Sequence, residues 1–181
     1  MSSSTPPSPR LPFSMFSSTL RVAPFILIDM MGVPGKPLPQ MPRNANQLSE
    51  TELEFFAGTI RGWLTELCSL GPPPSSPLVC GFMDNPFMSY RIDHSDFVGA
   101  FASLAEFHAQ YFCTVPPQAD PEICELAERI RKKPNRVCFT HGDLSPNNIL
   151  VNENYVPVGL IDFECAAWMP EYWDLTTSIY I

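Results

Sequence analysis

Two segments of this chain hold residues whose types and spacing could do chemistry. One reads His141-Gly142-Asp143-Leu144-Ser145-Pro146-Asn147-Asn148-Ile149-Leu150 and the other Ile161-Asp162-Phe163-Glu164. A carboxylate such as Asp143, in a polar loop directly after a strand, can orient and deprotonate a hydroxyl. The neutral amide oxygen of Asn148 can hold Mg²⁺ without adding charge, and Asp162 can offer a carboxylate to the same ion. Those are the needs of phosphoryl transfer, in which positioning and electrostatics matter more than covalent work. Two carboxylates beside a metal could also activate water for hydrolysis, although the further His or Asp ligands expected of such a site are missing.

The local pattern supplies elements to position this set. Val137-Cys138-Phe139 reads as a short strand, His141 to Asn147 as a polar loop, and Ile149-Leu150-Val151 as a second strand. Asn152 to Asn154 make a turn and Val156 to Phe163 a third strand, so a hairpin would return Asp162 to the side of Asn148. Upstream, Ser49 and Glu52 form a capping box. After it Leu53, Phe56, Ala57, Ile60, Leu64 and Leu67 recur at helical spacing until Gly71 stops the helix. Ser103 and Glu106 open a second helix, and Asp120-Pro121 a third that ends at Lys133-Pro134. Leu78 to Ile92 reads as a small irregular hairpin, Lys36 to Asn46 as a loop, and Val22 to Met31 as an apolar run of strand length.

The spacing from Asp143 to Asn148 equals that of the protein-kinase catalytic loop, with Asp162-Phe163-Glu164 standing where D-F-G would. HGDLSPNNILV followed by GLIDFECAAWMPEYWD resembles the aminoglycoside phosphotransferase family, and the Pro-Glu-Tyr-Trp-Asp ending is similar to its many fungal members. PFILIDMM resembles the family's hinge strand, and Gly99 to His108 a family segment around a helix start. The resemblance implies an α+β, protein-kinase-like fold, mainly the helical C-terminal lobe with a catalytic-loop hairpin. It implies ATP, Mg²⁺ and transfer of the γ-phosphate to a small-molecule hydroxyl. By the same resemblance Asp143 is the base, Asn148 and Asp162 the metal ligands, and His141 a brace for the loop. Asp174 is the buried aspartate that bonds the loop from a following helix, and Ile28, Asp29 and Met30 lie against adenine. His94, His108 and Glu164 are read as structural.

Composition sets the bounds. The 181 residues carry a formal net charge of −8 and 45% hydrophobic residues, which fits a packed core and disfavours a nucleic-acid partner. No run is long and apolar enough to cross a bilayer, and no secretory leader is visible. With no C-x-x-C pair, the six cysteines read as buried, reduced thiols of a cytoplasmic protein. Residues 1–22 are Ser/Pro-rich and read as disordered, with a tail to about Thr19. Residues 23–181 read as an incomplete domain of the family, cut at both ends and with most of the N-terminal lobe missing. No glycine precedes Gly32, and the lysines are Lys36, Lys132 and Lys133. The glycine-rich loop and the phosphate lysine therefore have no counterpart upstream of the hinge-like strand, and weak activity is expected of the isolated chain. The rival reading is a non-catalytic pseudoenzyme or interaction module that keeps the lobe as a scaffold.

Overall fold

The computed structural model describes residues 16–22, 25–30, 32–43, 45–71, 78–111, 121–122, 124–125, 129 and 133–178, with the backbone alone at 16–22, 25–30, 45 and 93–96. Its elements in chain order begin with β1 (Phe16–Val22), β2 (Phe25–Met30), β3 (Lys36–Pro37) and α1 (Glu50–Cys68). Then come β4 (Phe87–Ser89), β5 (Asp93–Val98), α2 (Leu104–Tyr111) and β6 (Val137–Thr140). The last are β7 (Ile149–Val151), β8 (Pro157–Leu160), β9 (Ala167–Pro170) and α3 (Trp173–Thr177). Helices and small antiparallel sheets together make an α+β chain. It divides into two compact units, Met1–Thr65 with Ser145–Asp162, and Glu66–Leu144 with Phe163–Ile181.

In the first unit β1 pairs antiparallel with β2, Leu20 opposite Leu27 and Val22 opposite Phe25. This corrects the expected tail to about Thr19 and shortens the segment 1–22 that was read as disordered. The prolines behind that reading, Pro6, Pro7, Pro9 and Pro12, all precede Phe16. From Phe16 to Val22 every residue keeps the N–H that a ladder needs. Residues 1–15 lie outside the described ones. β3, β7 and β8 form an antiparallel sheet in that order, so part of the expected loop Lys36 to Asn46 is an edge strand on the hairpin.

The capping box at the start of α1 is formed as read. The Ser49 N–H donates to Glu52 Oε2 at 2.7 Å, and the Glu52 N–H donates to Ser49 Oγ at 3.3 Å. Glu52 also accepts from the Arg43 guanidinium at 2.8 Å, which holds its carboxyl down to about 2, with the Ser49 bonds adding to the effect. Arg43 in turn lies 4.4 Å over the Tyr155 ring, and its N–H donates to Tyr155 Oη at 2.5 Å. One arginine thus ties the start of α1 to the turn of the β7–β8 hairpin. The buried side of α1 runs through Thr59, Ile60, Trp63 and Leu67, whereas Leu53 is 42% exposed. Sequence spacing missed Trp63, because several apolar stripes fit the same helix. Gly71 ends the helical region at φ +50, a left-handed conformation that favours glycine.

The second unit is built around Val79, Phe87, Phe101, Phe107, Met169 and Trp173. β4 pairs with β5 and β6 with β9. The irregular hairpin therefore spans residues 87–98 rather than 78–92, and its turn is Tyr90–Ile92, closed by Ile92 N–H to the Ser89 carbonyl at 3.0 Å. The Asp84-Asn85-Pro86 turn closes the short 3₁₀ segment Phe82–Asp84 instead. The second capping box holds, with the Glu106 N–H on Ser103 Oγ at 3.1 Å, while the Glu106 carboxylate reaches the Ala102 N–H at 2.8 Å. The third helix lies outside the described residues except Pro121, Glu122, Cys124, Glu125 and Arg129, which are helical. Among the described residues no helix is long and apolar enough to cross a membrane.

Cys68 and Cys138 form a disulfide, which corrects the reading of all six cysteines as reduced thiols. They are 70 residues apart in sequence, yet their Cα atoms stand 4.5 Å apart, where the end of α1 meets β6. Sequence spacing carries no trace of that proximity. Cys80 and Cys165 are buried thiols outside the disulfide. A loop of that length confers about 4 kcal/mol on the folded state in the chain-entropy account. The paired variant Cys68→Ser/Cys138→Ser is expected to lower the urea midpoint accordingly. A reductant should shift the wild type to the same midpoint and leave the variant unmoved.

Candidate active site

The polar loop after β6 is fixed by its own amides. The His141 N–H donates to Asp174 Oδ2 at 3.0 Å and the Gly142 N–H to Asp174 Oδ1 at 2.9 Å. The Asp143 N–H donates to His141 Nδ1 at 3.3 Å. Three successive backbone donors are satisfied in this way, two of them by one buried carboxylate at the start of α3. His141 is fully buried, with its ring centroid 4.5 Å from that of Phe163. Asp143 is half-buried.

No side chain fits at Gly142. It sits at φ +83, and a Cβ there would lie 2.0 Å from the Cys165 carbonyl oxygen. The chain can pass the Phe163–Cys165 turn only without a side chain.

Burial pushes the Asp174 carboxyl above its usual range, while the Gly142 and His141 amides pull it back. Asp174→Ala would strand both amides, each costing about 1–3 kcal/mol when buried without a partner. Asp174→Asn keeps one acceptor oxygen. The alanine variant is therefore expected to lose roughly twice the stability that the asparagine variant loses in chemical denaturation.

In the first unit, Pro146–Asn148 forms a 3₁₀ turn with the Asn148 N–H on the Ser145 carbonyl at 3.0 Å. Asn148 is buried. β7 leaves from it and β8 returns, but β8 ends at Leu160 rather than Phe163. The Ile161 N–H then donates to the Asn148 carbonyl at 3.0 Å, which brings the following residue, Asp162, back to the end of the hairpin where Asn148 stands. Asp162 is exposed and left-handed, at φ +65. Aspartate is among the few residues enriched there, and such backbone cost often accompanies function. The turn of the hairpin is an Asx turn, with Asn152 Oδ1 accepting from the Asn154 and Val156 amides at 2.9 and 3.1 Å.

The structure thus brings together Asn148 and Asp162 in the first unit, and His141, Asp143 and Asp174 in the second. Ile28, Asp29 and Met30 lie in β2, paired with β1, and their side chains are outside the described residues. Sequence reading missed the Cys165 carbonyl and the Phe163 ring as supports of the loop. It also missed Tyr90, whose hydroxyl donates to Glu164 Oε1 at 2.6 Å. The glycine at residue 142 was the one available signal for the first of these. His108, read as structural, bonds Tyr172 Oη through Nε2 at 2.7 Å, and burial pushes that phenol up to about 12.

Among the described residues no group of three or more His, Cys, Asp or Glu gathers to hold a metal alone. One amide oxygen and one carboxylate suit Mg²⁺ instead, since that ion keeps water and takes the rest of its shell from phosphate. The model of the phosphotransferase enzyme family matches residues 32–181, a range that holds every residue of the loop and hairpin and begins after Met30. No curated protein matches the chain.

Proposed function

The chain belongs to the phosphotransferase enzyme family, and from that premise we propose that it transfers the γ-phosphate of ATP to the hydroxyl of a small molecule. In this reading the fold is the protein-kinase-like one, mainly its helical lobe. Asp143 accepts the proton of the acceptor hydroxyl as that oxygen bonds to the γ-phosphorus. The bond from the γ-phosphorus to the β–γ bridging oxygen breaks, ADP leaves, and the proton ends on the Asp143 carboxylate. His141 and Asp174 hold the loop so that Asp143 needs no reorganisation at that moment. Asn148 and Asp162 would hold Mg²⁺, which when bound neutralises charge on the phosphate oxygens. Backbone groups of Ile28, Asp29 and Met30 would bond adenine.

The observation that carries the reading is the Ile161 N–H on the Asn148 carbonyl, because it sets an amide and a carboxylate at one end of a rigid hairpin. Titration of ATP in the presence and absence of Mg²⁺ tests it. The wild type is expected to bind the magnesium complex more tightly than free ATP. Asn148→Ala and Asp162→Ala should each weaken that preference by at least about 10-fold. Equal affinity with and without the ion in the wild type would sink the reading.

A second reading is a non-catalytic module that keeps this scaffold. Binding of Mg²⁺–ATP without turnover would favour it.

A further inference from the structure

The tip of the β4–β5 hairpin reaches in two directions with adjacent side chains. Tyr90 Oη donates to Glu164 Oε1 at 2.6 Å. Arg91 Nη1 donates to Thr176 Oγ1 on α3, and its guanidinium carbon lies 4.7 Å over the Trp173 ring. Both targets are supports of the Asp143 loop. Glu164 belongs to the Phe163–Cys165 turn, whose Phe163 ring packs on His141 and whose Cys165 carbonyl lies against Gly142. Trp173 directly precedes Asp174, the acceptor for the His141 and Gly142 amides.

We propose that Tyr90 and Arg91 are positioning residues for the Asp143 loop, a clasp that holds the Phe163–Cys165 turn and α3 in register with residues 141–143. This rests on the phosphotransfer reading only for its effect on rate. Its physical basis is separate. The two side chains leave adjacent positions of one three-residue turn, so a single short piece of backbone anchors both the contact to Glu164 and the contact to α3. Arg91 gives that piece a flat cation stacked on an indole as well as a donor, a combination that lysine does not reproduce. Tyr90 gives a charge-assisted bond to a carboxylate that would otherwise be free to turn.

The test is residue-resolved amide exchange on the full chain for Tyr90→Phe, Arg91→Ala and Arg91→Lys, with thermal melts and steady-state kinetics beside it. Tyr90→Phe removes one oxygen from a partly exposed side chain, so it keeps the test alive if the alanine variant folds poorly. The His141 and Gly142 amides are expected to exchange about 10-fold faster in Tyr90→Phe and Arg91→Ala, the loss of one hydrogen bond being of that size. Amides of β7 and β8 should keep wild-type rates. Arg91→Lys should resemble the alanine variant more than the wild type. kcat should fall about as much as the amides loosen, with KM for ATP within about twofold, since a loosened base costs rate rather than nucleotide binding. Unchanged exchange at His141 and Gly142, or an equal loss of protection across the whole unit, would overturn the clasp. If the wild type consumes no ATP but these two amides respond as described, the clasp stands and the phosphotransfer reading falls.

Discussion

Gly142→Ala is expected to destroy the loop that carries Asp143. A methyl group there would meet the Cys165 carbonyl oxygen at 2.0 Å and its carbonyl carbon at 2.6 Å, and both are backbone atoms that cannot swing aside. The residue is also left-handed, at φ +83, which alone disfavours any L side chain. Relief requires the loop to move off the Phe163–Cys165 turn, which would give up the bond from Gly142 N–H to Asp174 and the packing of His141 on Phe163. Losses of this kind belong to the exceptional tail of single substitutions, about 4 kcal/mol or more. A thermal melt should show a fall on the order of 10 °C. Gly58→Ala is the control. Gly58 is exposed within α1 and nothing lies within 4 Å of the position its Cβ would take, so alanine should raise stability by about 0.5–1 kcal/mol. Equal effects at the two glycines would show that the close approach to Cys165 is not what fixes residue 142.

What the sequence made legible was what neighbours along the chain decide. Ser49 and Glu52 are three residues apart, and each completes the other's hydrogen bond without help from the rest of the fold. The β7–β8 hairpin could be read because Asn152 shapes its turn locally, and Asn148 and Asp162 follow from it. What stayed hidden was decided at long range. β9 pairs with β6 across some thirty residues, Thr140 opposite Ala167, and nothing in Ala167-Trp168-Met169-Pro170 announces a strand. Cys68 and Cys138 meet only because the fold brings the last residue of α1 to β6. The contact of Tyr90 with Glu164 links residues 74 apart. For β1 the error had another origin. The Ser/Pro composition of the first fifteen residues was extended over seven that carry no proline. As for the candidate site, the sequence offers the residues themselves, while their surroundings could not be read, because they include a carbonyl oxygen and a ring from the Phe163–Cys165 turn.

The second large effect is on chemistry alone. Asp143→Asn keeps the shape of the side chain and leaves the bond from residue 143 N–H to His141 Nδ1 in place, since that donor is backbone. The fold should therefore be unchanged and the melt should coincide with that of the wild type. The proton acceptor is lost, because an amide cannot take the hydroxyl proton, and removing a general base costs about 10²–10⁴ in rate. The ratio between the two proteins carries the claim rather than the absolute rate, because residues 1–31 bring neither glycine nor lysine to the triphosphate. The decisive measurement is acceptor-dependent ADP release by the purified chain and by Asp143→Asn, with Mg²⁺–ATP and a panel of small hydroxylated acceptors. We predict turnover in the wild type with at least one acceptor, and a fall of 10²-fold or more, about what loss of the base implies, with an unchanged melt. Equal rates in the two proteins, or no release with any acceptor, would contradict the assignment of Asp143 as the base of a phosphotransferase.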